Sequence, residues 1–306
     1  LHGLLIAVGV LLLWGGGELL VSGARSLARA LGLSSLVIGL TVVAFGTSSP
    51  ELAASLTAVY QGAPDVAFGN VVGSNLANLG LILGLTALLW PLDTHVSFLR
   101  RELPFLVLAS ILLCVVAADL AVTRLEGLTL FALLIVFVAY LLRRERTKAL
   151  TPPDPERERP WWVSLLLVAV GLLLLTLGAK ALVFGAVQIA RGLGVSERVI
   201  GLTVVAIGTS LPELASCLVA AKHREGDIVL GNLIGSNIFN VLCIVGLTSA
   251  SHPFAIHGDG IWGDLGAMLA LSILVWPILT TGMRVSRWEG AFLLVGYVGY
   301  LWFLFR

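Results

Sequence analysis

The chain has 306 residues, 58% of them hydrophobic and 12% charged, with a net charge of +1. Soluble domains carry about 25% charged residues, so with a mean hydropathy of +1.00 the composition excludes a soluble fold and indicates a polytopic membrane protein. The near-neutral balance offers no footprint for nucleic acid.

Apolar runs of about 20 residues cross a bilayer as helices. Ten are predicted, in chain order Leu4–Val21, Leu36–Tyr60, Val66–Trp90, Leu103–Ala118, Leu125–Leu142, Trp162–Ala190, Val199–Ala221, Ile228–Ala250, Ile261–Thr280 and Trp288–Phe305. The first reads as a spanning helix and not as a cleavable signal. One clearly hydrophilic stretch, Arg143 to Pro160, holds four prolines and ten charges. It divides the chain into a first five-helix repeat (1–142), a linker (143–160) and a second five-helix repeat (161–306). The linker reads as a disordered connector.

The halves carry the same text. Gly46-Thr47-Ser48-Ser49-Pro50-Glu51-Leu52-Ala53 returns as Gly208-Thr209-Ser210-Leu211-Pro212-Glu213-Leu214-Ala215, 162 residues later. Gly69-Asn70-Val71-Val72-Gly73-Ser74-Asn75 returns at the same offset as Gly231-Asn232-Leu233-Ile234-Gly235-Ser236-Asn237. A repeat with an odd number of spans enters the membrane from the opposite side in its second copy. The halves are therefore expected to be inverted repeats. Basic residues agree. Loops after odd-numbered helices are predicted to hold Arg25, Arg29, Arg100, Arg101, Arg143, Arg144, Arg146, Lys148, Arg157, Arg159, Lys222, Arg224, Arg284 and Arg287, against Arg124, Arg191 and Arg198 after the even ones. That bias puts the odd loops and the linker in the cytoplasm and both termini outside. The fold class is thus an all-α integral membrane protein of ten transmembrane helices, with helices 2 and 7 broken by proline.

Proline removes a helix donor and clashes with the carbonyl four residues back, that of Gly46 for Pro50 and Gly208 for Pro212. Ser49 and Leu211, which precede the prolines, are expected to leave helical geometry. Carbonyls from Ala44 to Thr47, and from Ala206 to Thr209, can then face a cavity at the negative end of a half-helix, which suits a hard cation. Glu51 and Glu213 open the downstream half-helices. Two carboxylates, with the carbonyls and hydroxyls of Thr47 and Thr209 and water, would supply the six to eight oxygens calcium takes. Asn70, Ser74 and Asn78 stand four apart on one helical face, as do Asn232, Ser236 and Asn240. For Asn70, Asn75, Asn232 and Asn237, ion contact and helix-to-helix bonding both remain open. Glu18 and Lys180 hold equivalent places, as a pair, at the ion path or near the membrane interface. Cys114, Cys217 and Cys243 fit neither a disulfide framework nor a zinc spacing. Cys217, one turn past Glu213, reads as a small packing residue.

At these motifs the chain resembles the calcium/cation antiporter superfamily, in particular its prokaryotic sodium/calcium exchanger branch. The resemblance implies exchange of calcium for sodium by alternating access, with helices 1 and 6 sliding across the remaining core. It implies a calcium site of Glu51, Glu213, Thr47 and Thr209. Flanking sodium sites would use Ala44, Ser48 and Ser74 with a glutamate on one side, and Ala206, Ser210 and Ser236 on the other. Asn78 and Asn240 complete the polar cluster. Well-studied sodium-coupled members often carry an aspartate at one of these last two positions. Here both are amides, so the centre holds two formal negative charges, which two sodium ions or two protons match as well as one calcium. The reading is a calcium/sodium antiporter of a prokaryotic inner membrane, with a proton-coupled divalent-cation antiporter as the alternative and a cation channel behind it. A channel commonly assembles its pore across subunits, whereas one chain here supplies both half-sites and suffices as a monomer. No cofactor is expected, since the ions are cargo, and no enzyme signature such as His-Glu-x-x-His or Gly-x-Ser-x-Gly is present.

Overall fold

The computed structural model describes residues 2–146, 159–194, 206–257 and 260–304. Most of the expected linker (147–158) and the start of the seventh span (199–205) lie outside the described residues. The chain is mostly helical. In order the helices are α1 (His2–Leu31), α2 (Ser35–Ile38), α3 (Ala44–Thr47), α4 (Ser49–Tyr60), α5 (Pro64–Leu76), α6 (Leu83–Leu89), α7 (Val96–Val116), α8 (Arg124–Arg146), α9 (Trp161–Gly192), α10 (Ala206–Thr209), α11 (Leu211–Lys222), α12 (Gly226–Phe239), α13 (Gly246–Ser251), α14 (Ile261–Thr280) and α15 (Arg287–Leu304). Among the described residues six helices are long and apolar enough to cross a membrane: His2–Leu31, Pro64–Leu89, Arg124–Glu145, Trp161–Gly192, Gly226–Ser251 and Ile261–Met283. The protein is a multi-pass membrane protein.

Several helices outrun their apolar cores. Arg25 and Arg29 lie on the last turns of α1, Arg100 and Arg101 on α7, and Arg143, Arg144 and Arg146 on α8. They were expected in loops. A helix need not stop where its apolar run does, because long basic side chains reach the interface from it. Among the described residues three π-helical turns also interrupt the spans, at Gly39–Val43, Ala77–Ile82 and Asn240–Val245. Short strands add a small exception to an all-α fold: β1 (Leu92–Asp93) pairs with β4 (Arg284–Val285), and β2 (Ala121–Val122) with β3 (Phe254–Ala255), both antiparallel.

The chain divides into two compact units. The first comprises Leu1–Pro50 and Leu142–Asn232, the second Glu51–Leu141 and Leu233–Arg306. Each draws on both sequence halves, so division by contact differs from division by repeat.

The first unit is organised around α1 and α9, which run antiparallel. Glycines recur every seven residues, at Gly9, Gly16 and Gly23 on α1 and at Gly171, Gly178 and Gly185 on α9. A Cβ at Gly16 would sit 2.8 Å from the Gly171 carbonyl oxygen, and one at Gly178 2.9 Å from that of Gly9. A Cβ at Gly23 would likewise lie 2.9 Å from the Ser164 carbonyl oxygen, and one at Gly185 2.9 Å from that of His2. Without Cβ atoms the backbones meet directly, the contact that drives association where lipid gives no hydrophobic incentive. Ser164 Oγ donates to Ser26 Oγ across the same pair at 2.8 Å. The opposite faces carry exposed Leu11, Leu166, Leu173 and Phe184, which suit acyl chains. At the far end of α11, Glu18 pairs with His223 at 2.6 Å and Lys222 at 3.5 Å, and Arg25 pairs with Glu225 at 3.1 Å. Glu18 therefore has these partners and not Lys180.

In the second unit α6 crosses α15 at Gly84 and Gly290, and α13 crosses α8 at Gly246 and Gly127. Ser110 and Ser272, 162 residues apart, share a hydrogen bond of 2.9 Å. Residues 233–246 are buried throughout.

Candidate cation-binding site

The two proline motifs fold alike. Ser48 (φ −83°, ψ 1°) and Ser210 (φ −91°, ψ 7°) interrupt the helix two residues before each proline. Ser49 and Leu211 already belong to the downstream helices, so the break falls one residue earlier than expected. The proline ring fits the first turn of a helix, where its missing N–H is not needed, and the disruption moves upstream. Ser49 Oγ donates to the Phe45 carbonyl at 2.7 Å. The Ala44 carbonyl accepts the Ser48 N–H at 3.0 Å and the Thr47 hydroxyl at 3.4 Å.

Glu213, in the first turn of α11, is 1% exposed. Ser48 Oγ donates to its Oε1 at 3.2 Å. Thus a hydroxyl of the first motif meets the carboxylate of the second. Its other oxygen, Oε2, is buried and has no hydrogen-bond partner among the described residues. No lysine or arginine pairs with it among the described residues. An ionised carboxylate held this way needs a cation, because burial without one costs several kcal/mol. Beside it Thr47, fully buried, directs its hydroxyl towards the Val43 carbonyl (3.1 Å) and Asn232 Oδ1 (3.1 Å). Asn232 Nδ2 donates to Ser216 Oγ at 3.0 Å and approaches Cys217 Sγ at 3.5 Å. Asn232 is therefore a bridge between helices, and Cys217 packs against it. Thr209 and Ala206 occupy the α10 turn, and Ser210 holds the position just before α11.

In the second unit Glu51, 1% exposed, sits in the first turn of α4. Its carbonyl accepts from Asn70 Nδ2 at 3.3 Å, and Asn70 also donates to Ser55 Oγ at 2.9 Å. Asn70 is thus the counterpart of the Asn232 bridge. Ser74 and Ser236 are buried. Asn78 and Asn240 lie on π-helical turns, each 1% exposed and each with a side-chain oxygen that has no partner among the described residues. The π-helical turns escape a sequence reading because i→i+5 bonding has no residue signature. Their concentration at polar positions fits the tendency of such turns to mark functional sites. Among the described residues no three His, Cys, Asp or Glu side chains cluster. The donors are hydroxyl, amide and carboxylate oxygens, suited to hard cations.

A sequence model of the family described as sodium/calcium exchanger protein matches residues 1–143 and 163–306. A putative antiporter, CaxA of Alkalimonas amylolytica, is 39% identical over 98% of this chain and 97% of its own. The sodium/calcium exchanger MaX1 of Methanosarcina acetivorans is 34% identical over 99% of this chain and 98% of its own. Among solved structures, the sodium–calcium exchanger NCX_Mj soaked with zero Na+ and Ca2+ superposes with a TM-score of 0.86 at 33% identity, over 99% of this chain and 98% of that one.

Proposed function

The chain belongs to the sodium/calcium exchanger protein family, a family of membrane cation antiporters and not enzymes, and from that premise we propose that it moves calcium against sodium by alternating access. Glu51 and Glu213 hold one calcium jointly near the middle of the membrane, with Thr47 and Thr209 beside them. Sodium uses Ala44, Ser48 and Ser74 on one flank and Ala206, Ser210 and Ser236 on the other, with Asn78 and Asn240 lining the wall.

One observation carries this reading: the buried Glu213 takes the hydroxyl of Ser48 from the other motif and keeps an open oxygen. Two carboxylates and one calcium sum to zero charge. Two sodium ions restore the same balance, whereas a third would leave a charge uncompensated at low dielectric. Two sodium ions per calcium is therefore the favoured cycle. The reading needs no cofactor and no second subunit.

Ten spans in two inverted repeats are supported by reciprocal contacts. The Gly9–Gly178 contact matches Gly171–Gly16 under the 162-residue offset, and β1–β4 corresponds to β3–β2 with one inserted residue. Equivalent segments α1 and α9 run antiparallel, as inversion requires. The basic-residue bias supports external termini and a cytoplasmic linker in a prokaryotic inner membrane.

Calcium-45 uptake into proteoliposomes tests the reading. An outward sodium gradient should drive uptake and a pH gradient alone should not. Uptake driven only by the pH gradient would select the proton-coupled alternative, and a flux indifferent to both gradients would select a channel.

A further inference from the structure

Asn75 has no part in the proposed ion cluster, yet its hydrogen bonds determine how a member of that cluster is turned. It is 2% exposed, inside the second unit. Its Nδ2 donates towards the Asn237 carbonyl at 3.4 Å and lies 3.6 Å from Met268 Sδ. Both neighbours can only accept. The amino group of Asn75 must therefore face them, which turns Oδ1 towards Asn240. Asn240 then has to present its own amino group, and Nδ2 does donate to Asn75 Oδ1 at 3.0 Å. What is left over is Asn240 Oδ1, buried and without a hydrogen-bond partner among the described residues. The order of donors follows from the fixed polarity of one backbone carbonyl.

An amide is ambivalent towards a cation. Its oxygen attracts the ion and its amino group repels it, and the two ends differ by a rotation of the side chain. We infer that Asn75 is a positioning residue that locks the Asn240 carbonyl oxygen towards the transported cation. The inference rests on the proposal that Asn240 faces that cation. The equivalent lock is missing in the other copy, where Asn237 Nδ2 donates to the Leu233 carbonyl of its own helix at 2.7 Å. One amide wall thus carries an oriented dipole, and the other lacks this restraint.

The test is a cycle of Asn75→Leu, Asn240→Ala and the double variant, read as KM for calcium and kcat in sodium-driven uptake by the full chain. Asn75→Leu should raise KM about tenfold, the usual scale for a group that orients a ligand, with a smaller change in kcat. Asn75→Asp should restore KM, because a protonated carboxyl donates to the Asn237 carbonyl and still accepts from Asn240. In the Asn240→Ala background, Asn75→Leu should add nothing. Additive effects would overturn the inference, as would an unchanged KM in Asn75→Leu when Asn240→Ala raises it. An unchanged KM in Asn240→Ala would instead overturn the ion-facing assignment of Asn240, and with it the role given to Asn75. Should Asn75→Leu fail to fold, Asn75→Ala carries the same comparison.

Discussion

The α1–α9 pair and the amide walls are both built from duplicated sequence, and they treat the duplication differently. In the helix pair the glycine approaches are matched: Gly16 meets Gly171 as Gly178 meets Gly9, and Gly23 meets Ser164 as Gly185 meets His2. In the walls, Asn75 holds Asn240 while Asn237, its counterpart, bonds within its own helix. Glycine contacts involve backbone alone, and backbone follows the repeat. Amides have a direction, and a directed bond can be satisfied in more than one way. Packing therefore keeps the symmetry of the sequence where polar chemistry breaks it.

The largest effect is expected where the copies should behave alike. Glu51→Gln and Glu213→Gln each remove half the formal charge while keeping the shape of the side chain, with one acceptor oxygen replaced by a donor amino group. Each should reduce calcium uptake to background in proteoliposomes, with elution as a folded, monodisperse protein unchanged. Near-normal uptake in either variant would end the shared-carboxylate proposal. Loss in one variant alone would extend the asymmetry of the walls to the charges.

A smaller effect should separate the walls. Asn78→Asp and Asn240→Asp each add one negative charge to a site proposed to hold two, and a third sodium per calcium then becomes balanced. Both should increase the charge moved per cycle, read as a shift in reversal potential with imposed sodium and calcium gradients. They should differ in calcium KM. An ionised aspartate at 240 offers no N–H to Asn75 Oδ1, so two acceptors would face one another and the lock would be lost. Asn78→Asp meets no such conflict with Asn237. An equal rise in KM for both would show that the lock has no functional weight.

Much of the fold and of the candidate site is legible in the sequence. Ten apolar runs, the doubled Gly-Thr-Ser-x-Pro-Glu and the linker lie in the sequence, because lipid imposes length and hydropathy and proline imposes a break. Glu213 as a buried carboxylate followed from its place beside Pro212. The position of the break did not, since whether Ser48 or Ser49 leaves the helix depends on which carbonyl finds a new donor, and Ser49 Oγ provides one to Phe45. The partners of Glu18 were also hidden, because His223 reaches it through tertiary approach of α11 to α1 and not by repeat spacing. The role of Asn75 was beyond reach for the same reason. Asn75 and Asn237 read identically in the two copies, and only their partners distinguish them.

The smallest predicted effects concern neighbouring glycines of α1. Gly15 has open space where a Cβ would go, whereas a Cβ at Gly16 would lie 2.8 Å from both the Gly171 carbonyl oxygen and the Leu175 nitrogen. Gly15→Ala should leave thermal stability in detergent unchanged or raise it by about 0.5–1 kcal/mol, since alanine has less backbone freedom to lose on folding. Gly16→Ala should lower it by about 1–3 kcal/mol, because the obstructing atoms are backbone and α9 must shift as a body. Gly178→Ala, its counterpart at 2.8 Å from the Leu13 nitrogen, should lower stability by a similar amount. Matching losses at Gly16 and Gly178 with none at Gly15 would show that the seam keeps the symmetry of the repeat in energy as well as in geometry. A large loss at only one of the pair would mean that the directional asymmetry of the amides reaches the packing too.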